Sequence, residues 1–232
     1  AVGARGGRKG LTSSSVATVM DGKALAERVR AEVKEEVSAL GELGLATVLV
    51  GEDAASQIYI RLKHEAAEEV GIQSTDVRLP DDTTQDDLLE RIAELNGDSS
   101  VHGVLVQLPL PDQLDEAAII RAVDPAKDVD GLHPLNAGQL YLGRPTLVPA
   151  TPRGVLMLLD EYKIPLDGAR AVVVGRSDIV GKPVAHLLLQ RNATVTICHS
   201  HTDDLARQTL DADVLVVAVG IAGLIGADMV KQ

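Results

Sequence analysis

Apolar residues alternate between two spacings along most of this chain. Over residues 21–40 they recur at every third or fourth position, which is the spacing of one face of an α-helix, and Gly41 stands where such a helix ends. Residues 45–51 form a short, almost entirely apolar run that ends in glycine, as is typical of a strand buried on both faces of a parallel sheet. The same alternation continues further along, so we predict an α/β protein whose parallel strands are joined by helices.

The rest of the first half follows this rule and is predicted to add further helices and strands. These are a helix at 54–70, a strand at 76–79, a helix that begins at the capping pair Thr84 and Asp87, a buried strand at 101–111 that runs into a proline-rich loop, and a short helix at 115–123. Residues 16–150 are therefore predicted to form an N-terminal α/β domain.

Helical periodicity disappears between residues 124 and 152. This stretch is polar and rich in turns, and it contains five prolines: Pro125, Pro134, Pro145, Pro149 and Pro152. Long irregular segments within compact domains are often functional. We predict an irregular functional segment here, followed near Thr151 by a helix with proline in its first turn.

A second α/β unit is predicted over residues 151–232. A strand at 171–175 leads through a glycine-containing turn into a helix, and strands at 193–198 and 211–220 follow. This order is typical of a Rossmann-type nucleotide-binding domain. Because a doubly wound sheet usually has more than these three strands, the second domain is expected to be incomplete at its C-terminal end.

Charge and hydrophobicity exclude several classes of function. The net charge of −12 argues against a general nucleic-acid binder, which needs a basic surface. No apolar run approaches the roughly 20 residues that span a bilayer, so an integral membrane protein is not expected. Residues 1–15 are glycine-rich and basic and are interpreted as a leader or tag. They contain no apolar secretion core, so a cytoplasmic protein is predicted.

A structural metal site is not predicted. The single cysteine, Cys198, excludes an internal disulfide and a cysteine-rich zinc site, and its apolar surroundings indicate a small core residue. Asp128 and Asp130 begin a pattern that occurs in calcium loops, but the rest of that spacing is missing.

The turn from Gly175 to Gly181 is a candidate phosphate-binding loop. Glycines between a buried strand and a helix let the backbone approach a pyrophosphate at the helix N-terminus. Ser177 replaces the second glycine of the usual fingerprint, and Val180 precedes the last one. From the residues alone, a nucleotide site and a simple tight turn are equally good interpretations.

The end of the following strand indicates which dinucleotide would bind. NAD sites usually carry an acid there for the ribose 2′-hydroxyl, but residues 198–202 contain none. Arg176 and Ser200 could instead bind a 2′-phosphate, which favours NADP. The alternative is that Ser200 and Thr202 cap a helix that begins near Asp203.

Four further polar side chains are candidates for chemistry. Tyr59 and Lys63 lie four residues apart and would share one helix face, where a buried lysine could move a proton. From this spacing alone, a solvated lysine above a packed tyrosine is the more common arrangement. Gln107 ends an otherwise apolar strand, and α/β proteins place their sites at such strand ends. His133 could belong to a site or to a surface loop.

Several motifs occur in an order that resembles one enzyme family. They are YIRLK, GVLVQLPLP, KDVDGLHPLNAG, PATPRGV, VVGRSDIVGKPVA and ATVTICHSHT. The chain closely resembles bifunctional methylenetetrahydrofolate dehydrogenase/methenyltetrahydrofolate cyclohydrolases from about Asp21 to Gln232. The resemblance implies two α/β domains flanking a cleft, tetrahydrofolate derivatives as substrates, NADP as cofactor, and a homodimer that pairs through the C-terminal domains.

The same resemblance assigns roles to individual residues. It implies that Tyr59 stacks on the folate, that Lys63 serves the cyclohydrolase step, that Gln107 tunes Lys63, and that Asp130 binds the pterin. It implies an NADP 2′-phosphate contact at Arg176 and Ser200, and a dinucleotide turn made by Gly175, Ser177, Val180 and Gly181.

Two departures from the family pattern leave alternatives open. Ala150 stands where the family commonly has cysteine, and family members usually continue well beyond the position of Gln232. The missing tail supports a catalytically impaired NADP- or folate-binding regulatory protein as the alternative. A different Rossmann dehydrogenase is disfavoured by the DVDG and VQLPLP stretches.

Overall fold

The computed structural model of the protein describes residues 17–231, with only the backbone of Ala55, and shows two three-stranded parallel sheets. The predicted leader, residues 1–15, lies outside the described residues. The helices are α1 (Gly22–Leu40), α2 (Ala54–Glu69), α3 (Gln85–Gly97), α4 (Glu116–Ala122), α5 (Pro134–Tyr141), α6 (Ala150–Glu161), α7 (Gly181–Gln190) and α8 (Leu205–Leu210). The strands are β1 (Gly44–Val50), β2 (Gln73–Leu79), β3 (Gly103–Val106), β4 (Arg170–Val174), β5 (Thr194–Cys198) and β6 (Val214–Val217).

The first sheet has the order β2-β1-β3, and all its pairs are parallel. Side chains on one face of β1, such as Ala46 and Val48, pack with α3 and α4 in one apolar cluster. Leu88 and Ile92 of α3 are fully buried there. Burying one such side chain contributes about 1.5–3 kcal/mol, so this layer anchors the strand ends that carry the site.

Local signals place the helix ends where the sequence indicates. Asp21 caps α1 by accepting from the amide of Ala24 at 3.0 Å, and Gly41 ends it with a φ of 96°. The hydroxyl of Thr84 accepts from the amide of Asp87 at 3.2 Å, as the predicted cap of α3 requires. The hydroxyl also donates to the Asp87 carboxylate.

The segment predicted to be irregular contains a helix, so that prediction is partly wrong. Pro134 occupies the first turn of α5, where its missing N–H is not needed, and the ring of His133 accepts from the amide of Leu135 at 3.1 Å. Asn136 and Leu140 form its buried face. A short helix with one buried apolar residue has no visible hydrophobic period, which is why the sequence did not reveal it.

The second sheet repeats the topology of the first, with the order β5-β4-β6 and parallel pairing. One face packs on α6 and α7, through residues such as Val173 and Leu188. The other face carries Cys198, which is fully buried, as predicted for a small core residue. Burial raises the pKa of its thiol, and a hydrogen bond with Thr202 opposes the rise.

The two sheets are joined through helices from both halves. The amide of Asp21, at the start of α1, donates to the hydroxyl of Tyr162 at 2.6 Å, and Arg28 pairs with Glu161 at 2.7 Å. On another side of the molecule, the side-chain nitrogen of Gln190 in α7 donates to the carbonyl of Leu140 in α5 at 2.7 Å. These contacts hold the carboxyl ends of the two sheets on either side of a cleft. In the part of the chain that is described, no helix is both long enough and apolar enough to cross a membrane.

Candidate active site

Lys63 and Gln107 meet at the carboxyl end of the first sheet. Gln107 directly follows β3, and its amide continues the ladder by donating to the carbonyl of Val48 at 2.9 Å. Its side-chain nitrogen donates to the carbonyl of Leu108 at 2.8 Å, which leaves the side-chain oxygen for Lys63. The ammonium of Lys63 donates to that oxygen at 3.2 Å. Gln107 thus presents an acceptor to the lysine and no competing donor.

Asp130 joins this pair in a cavity of about 190 Å³ between the two halves of the molecule. The cavity is lined by Lys63, Val106, Gln107, Leu108, Asp130, Leu132, Pro149, Ala150, Thr151 and Ile179. A cation, a neutral amide and an acid therefore converge on one small space with mostly apolar walls. Pockets with a few convergent polar groups are the usual form of a small-molecule site.

The electrostatics of Asp130 are set by its position in this cavity. Burial raises the pKa of its carboxyl above the usual value, because the charged form loses contact with water. The ammonium of Lys63 opposes the rise, and the negative charge of Asp128 adds to it. Perturbed acids in clefts are common at functional sites.

Asp128 is a buried acid whose structural role the sequence did not reveal. It is 6% exposed, and its carboxylate accepts from the amide of His133 and the side chain of Asn136, both at 2.8 Å. Asn136 also donates to the carbonyl of Pro125 at 2.9 Å. This buried network ties the two ends of the turn that carries Asp130. In the sequence, Asp128 and Asp130 look equivalent, because both lie in the same polar stretch. Only the fold shows that Asp128 is buried in this network and that Asp130 lines the cavity.

Tyr59 lies one helical turn before Lys63 on α2 and is 61% exposed. It is absent from the described residues that line the cavity. Its ring is therefore free to receive a flat ligand that extends out of the cavity. The structure brings Lys63, Gln107 and Asp130 together and places Tyr59 on the same helix, outside the cavity.

A second cavity of about 370 Å³ adjoins the first and shares Leu108, Leu132 and Ile179 with it. Its other walls come from α4, α5 and α7, so it also lies between the two halves. It contains none of the predicted catalytic side chains. Most of its surface is apolar, although Glu116, Arg121, Asp178, Lys182 and His186 also line it, and it forms an extension of the cleft that lacks Lys63, Gln107 and Asp130.

The glycine turn after β4 is closely packed. Gly175 has a φ of 122°, and a Cβ there would collide with the carbonyl of Ala218. A Cβ on Gly181 would collide with the carbonyl of Gly175, so α7 begins against the end of β4. The hydroxyl of Ser177 accepts from the amides of Val180 and Gly181, each at 3.2 Å. Both glycines are therefore required for close approach, and Ser177 stabilises the helix start.

Arg176 and Ser200 lie at the same edge of the second sheet. Val174 at the end of β4 pairs with Cys198 at the end of β5, and Arg176 and Ser200 each follow two residues later. Both residues are exposed, and the guanidinium of Arg176 has no ion-pair partner among the described residues. An unpaired cation beside a hydroxyl is able to hold a phosphate group.

The alternative role of Ser200 and Thr202 as a helix cap is wrong. The helix that follows begins later, at Leu205, and Asp204 caps it by accepting from the amide of Arg207 at 3.2 Å. Thr202 instead accepts from the amide of His199 at 2.8 Å and closes the turn after β5. Ser200 is therefore not needed for capping.

Comparison with protein families decides the class of the chain. The tetrahydrofolate dehydrogenase/cyclohydrolase catalytic domain matches residues 20–130, and the NAD(P)-binding domain of the same family matches residues 149–232. The chain belongs to this family. The family and the two-part α/β fold that the motifs predicted are confirmed, and so is the class of enzyme.

Relatives and solved structures agree with this assignment. The bifunctional protein FolD of Moorella thermoacetica is 56% identical over 220 residues, which cover 93% of this chain and 79% of that protein. FolD of Methanococcoides burtonii is 51% identical over 219 residues, 92% of this chain and 77% of that protein. The FolD structure from Campylobacter jejuni matches with a TM-score of 0.90 at 46% identity, covering 93% of this chain and 78% of that one.

One of the similar structures is a complex. It is the methylenetetrahydrofolate dehydrogenase-cyclohydrolase of Trypanosoma brucei with NADP cofactor and an inhibitor. It matches with a TM-score of 0.89 at 40% identity and covers 93% of this chain and 76% of that chain. In a chain of this family, a dinucleotide turn and a polar cavity on opposite sides of one cleft are the expected arrangement.

Proposed function

We propose that this chain oxidises 5,10-methylenetetrahydrofolate with NADP⁺ and hydrolyses the 5,10-methenyl product to 10-formyltetrahydrofolate. The observation that carries the proposal is the meeting of Lys63, Gln107 and Asp130 in one cavity of the interdomain cleft. Membership of the family supports both activities. Residues up to about 150 form the catalytic domain in this proposal, and residues 151–232 form the nucleotide domain.

Asp130 and Tyr59 hold the folate. The pterin ring presents N–H donors along one edge, and a carboxylate in a partly buried site is a strong acceptor for them. The exposed ring of Tyr59, one turn before Lys63, offers a flat surface for the part of the folate outside the cavity. Together they set the one-carbon bridge beside the lysine.

Lys63 moves the proton in the hydration step. Water attacks the carbon of the methenyl bridge, and the neutral amine of Lys63 takes the proton that the water loses. The same proton then passes to N5 as the bond from this carbon to N5 breaks, and the proton left on the hydroxyl is released to solvent as the formyl C=O forms, which gives the 10-formyl product. Gln107 keeps the amine directed at the bridge through the 3.2 Å hydrogen bond and adds no charge that would hold the proton on it.

The residues of the second domain fit NADP. Gly175 and Gly181 leave no room for a Cβ, and Arg176 and Ser200 share the sheet edge where a 2′-phosphate would be held. Acids are absent from residues 199–202, so nothing in that turn repels the phosphate. When it is bound, NADP⁺ supplies the hydride acceptor for the one-carbon bridge. The chain itself contributes orientation of the two reactants.

We also propose a homodimer that pairs through the second domain, and a cytoplasmic location. β5 is an edge strand of its sheet, and Ile197 on it is 40% exposed, which leaves an apolar edge suited to pairing with a second copy. Light scattering after gel filtration tests the dimer, and Ile197→Lys should yield monomers if this edge is the interface.

Cell fractionation tests the proposed cytoplasmic location.

The test of the function follows the absorbance of methenyltetrahydrofolate. Supplied with methylenetetrahydrofolate, the protein should produce the methenyl species faster with NADP⁺ than with NAD⁺. Supplied with methenyltetrahydrofolate directly, it should consume this species faster than the spontaneous reaction does. The alternative of a regulatory protein predicts binding of folate and NADP without turnover in either assay.

A further inference from the structure

Helix α2 carries both Tyr59 and Lys63 but is held by little apolar burial. Among its described side chains, Ile60 and Ala67 are the buried apolar ones, and neither belongs to the apolar cluster that packs on the opposite face of β1. A helix with so small a buried face depends on specific polar contacts for its exact position.

One such contact joins α2 to the centre of the first sheet. The ring nitrogen Nε2 of His64 lies 2.7 Å from the hydroxyl of Thr47 on β1. Thr47 is fully buried on the middle strand, and it alternates with Ala46 and Val48, so it faces α2 rather than the cluster with α3. A buried hydroxyl needs a hydrogen-bond partner, and His64 supplies it.

The contacts of His64 and Lys63 reach neighbouring points of the sheet. Thr47 is followed by Val48, whose carbonyl accepts from the amide of Gln107, and Gln107 in turn accepts from Lys63. Two successive residues of α2 therefore attach to two adjacent strands. Two attachments so close together fix the rotation of the helix about its axis, which a single attachment does not.

We infer that His64, through its hydrogen bond to Thr47, is a positioning residue that holds Lys63 at the reaction cavity. The inference rests on the proposed role of Lys63 in the cyclohydrolase step. Without the bond, α2 is free to rotate, and Lys63 loses its alignment with the one-carbon bridge. Proton transfer needs hydrogen-bond reach, and a full displacement of about 1 Å lowers such a rate by about 100-fold. Because Lys63 keeps its bond to Gln107, the shift should be smaller and should cost about tenfold.

Hydride transfer should be less sensitive to this displacement. It depends on the seating of folate against the nucleotide, and stacking on Tyr59 tolerates a small shift of a flat surface. Loss of the His64–Thr47 bond should therefore separate the two activities. A purely structural role would lower both in proportion to the amount of folded protein.

The test uses Thr47→Val, which removes the hydroxyl at constant shape, and Thr47→Ser, which retains it. We expect Thr47→Val to lower the cyclohydrolase kcat about tenfold, with the dehydrogenase kcat changed less than about twofold. Thr47→Ser should restore most of the cyclohydrolase rate. His64→Leu removes the same bond from the more exposed side, so it remains informative if Thr47→Val does not fold.

Ile92→Val is the matched control, because it weakens the core on the other face of the sheet without touching α2. It should lower the melting temperature and leave the ratio of the two activities unchanged. The inference is overturned if Thr47→Val or His64→Leu lowers both activities equally, or lowers neither. Failure of the proposed function is distinct, because the unmodified protein would then not hydrolyse methenyltetrahydrofolate at all.

Discussion

The ammonium of Lys63 lies 3.2 Å from the side-chain oxygen of Gln107, while the nitrogen of the same amide donates to the carbonyl of Leu108. The amide is therefore oriented by the backbone, and the lysine meets an acceptor that carries no charge. A carboxylate at this position would favour the protonated ammonium, whereas a neutral oxygen leaves the amine able to release its proton. This relationship is the basis for the predictions on the hydration step.

Lys63→Met should separate the two chemical steps. The substitution keeps the aliphatic stem and removes the amine, so folding and folate binding should survive. Cyclohydrolase activity should fall by a factor on the order of 10² to 10⁴, the usual contribution of a positioned acid or base, and dehydrogenase activity should fall less. The assay supplies methenyltetrahydrofolate and subtracts its spontaneous decay. Hydrolysis at the unmodified rate would show that Lys63 does not move the proton.

Gln107→Glu should move the pH profile of hydrolysis to higher pH. A carboxylate beside the ammonium adds an attractive charge that holds the proton on the lysine, so the free amine becomes available only at higher pH. Gln73→Glu, an exposed substitution at the start of β2 and outside the cavity, serves as the control for added negative charge. An unchanged profile in Gln107→Glu would mean that proton transfer by Lys63 does not control the rate of hydrolysis.

Asp130→Ala should weaken both activities together. The folate donors that pair with the carboxylate would be left without a partner, which costs about 2 to 4 kcal/mol of transition-state binding. Steady-state kcat/KM for each reaction measures the loss, and Asp112→Ala on the exposed loop is the control. Retention of folate affinity would contradict the proposed role of Asp130.

The acidic limb of dehydrogenase activity should follow the charge of Asp130. The ionised carboxylate accepts from the folate donors much more strongly than the neutral acid does, so activity falls as pH falls through the raised pKa of Asp130. Removing the Lys63 cation raises that pKa further, so Lys63→Met should move the limb to higher pH. Asp128→Asn removes a negative charge and should move the limb to lower pH. Shifts in the same direction for both variants would rule out this electrostatic account.

Arg176→Ala should weaken NADP⁺ binding much more than NAD⁺ binding. Only NADP⁺ carries the phosphate that a guanidinium can hold, and Arg176 has no other ion-pair partner among the described residues. The Michaelis constants of both cofactors measure the effect. Lys182→Ala, which removes a nearby cation that is paired with Asp178, is the control. Equal losses for both cofactors would place Arg176 at the pyrophosphate or in the packing of the turn.

The sequence predicted helix ends well where the residue that gives the signal also makes the contact that ends the helix. Asp21, Thr84 and Gly41 act at helix ends through their own backbone contacts, so their positions are readable from the sequence. The helix α5 was missed because its buried face consists of only Leu140 and Asn136, and Asn136 is a polar residue that bonds to Pro125 and Asp128. Its proline, Pro134, and its single buried apolar residue resemble a loop in sequence.

The sequence by itself determined the α/β class, the alternation of helices and strands, and the residue types available for chemistry, because hydrophobic period and capping are local properties. Only the tertiary structure decided which polar residues work together. Lys63 and Gln107 are 44 residues apart, and Asp130 comes from yet another segment, so their meeting depends on the parallel pairing of β1 with β3 and on the network around Asp128. Burial then decided that Asp128 holds the turn while Asp130 faces the cavity, a distinction that depends on solvent exposure and is not written in their spacing.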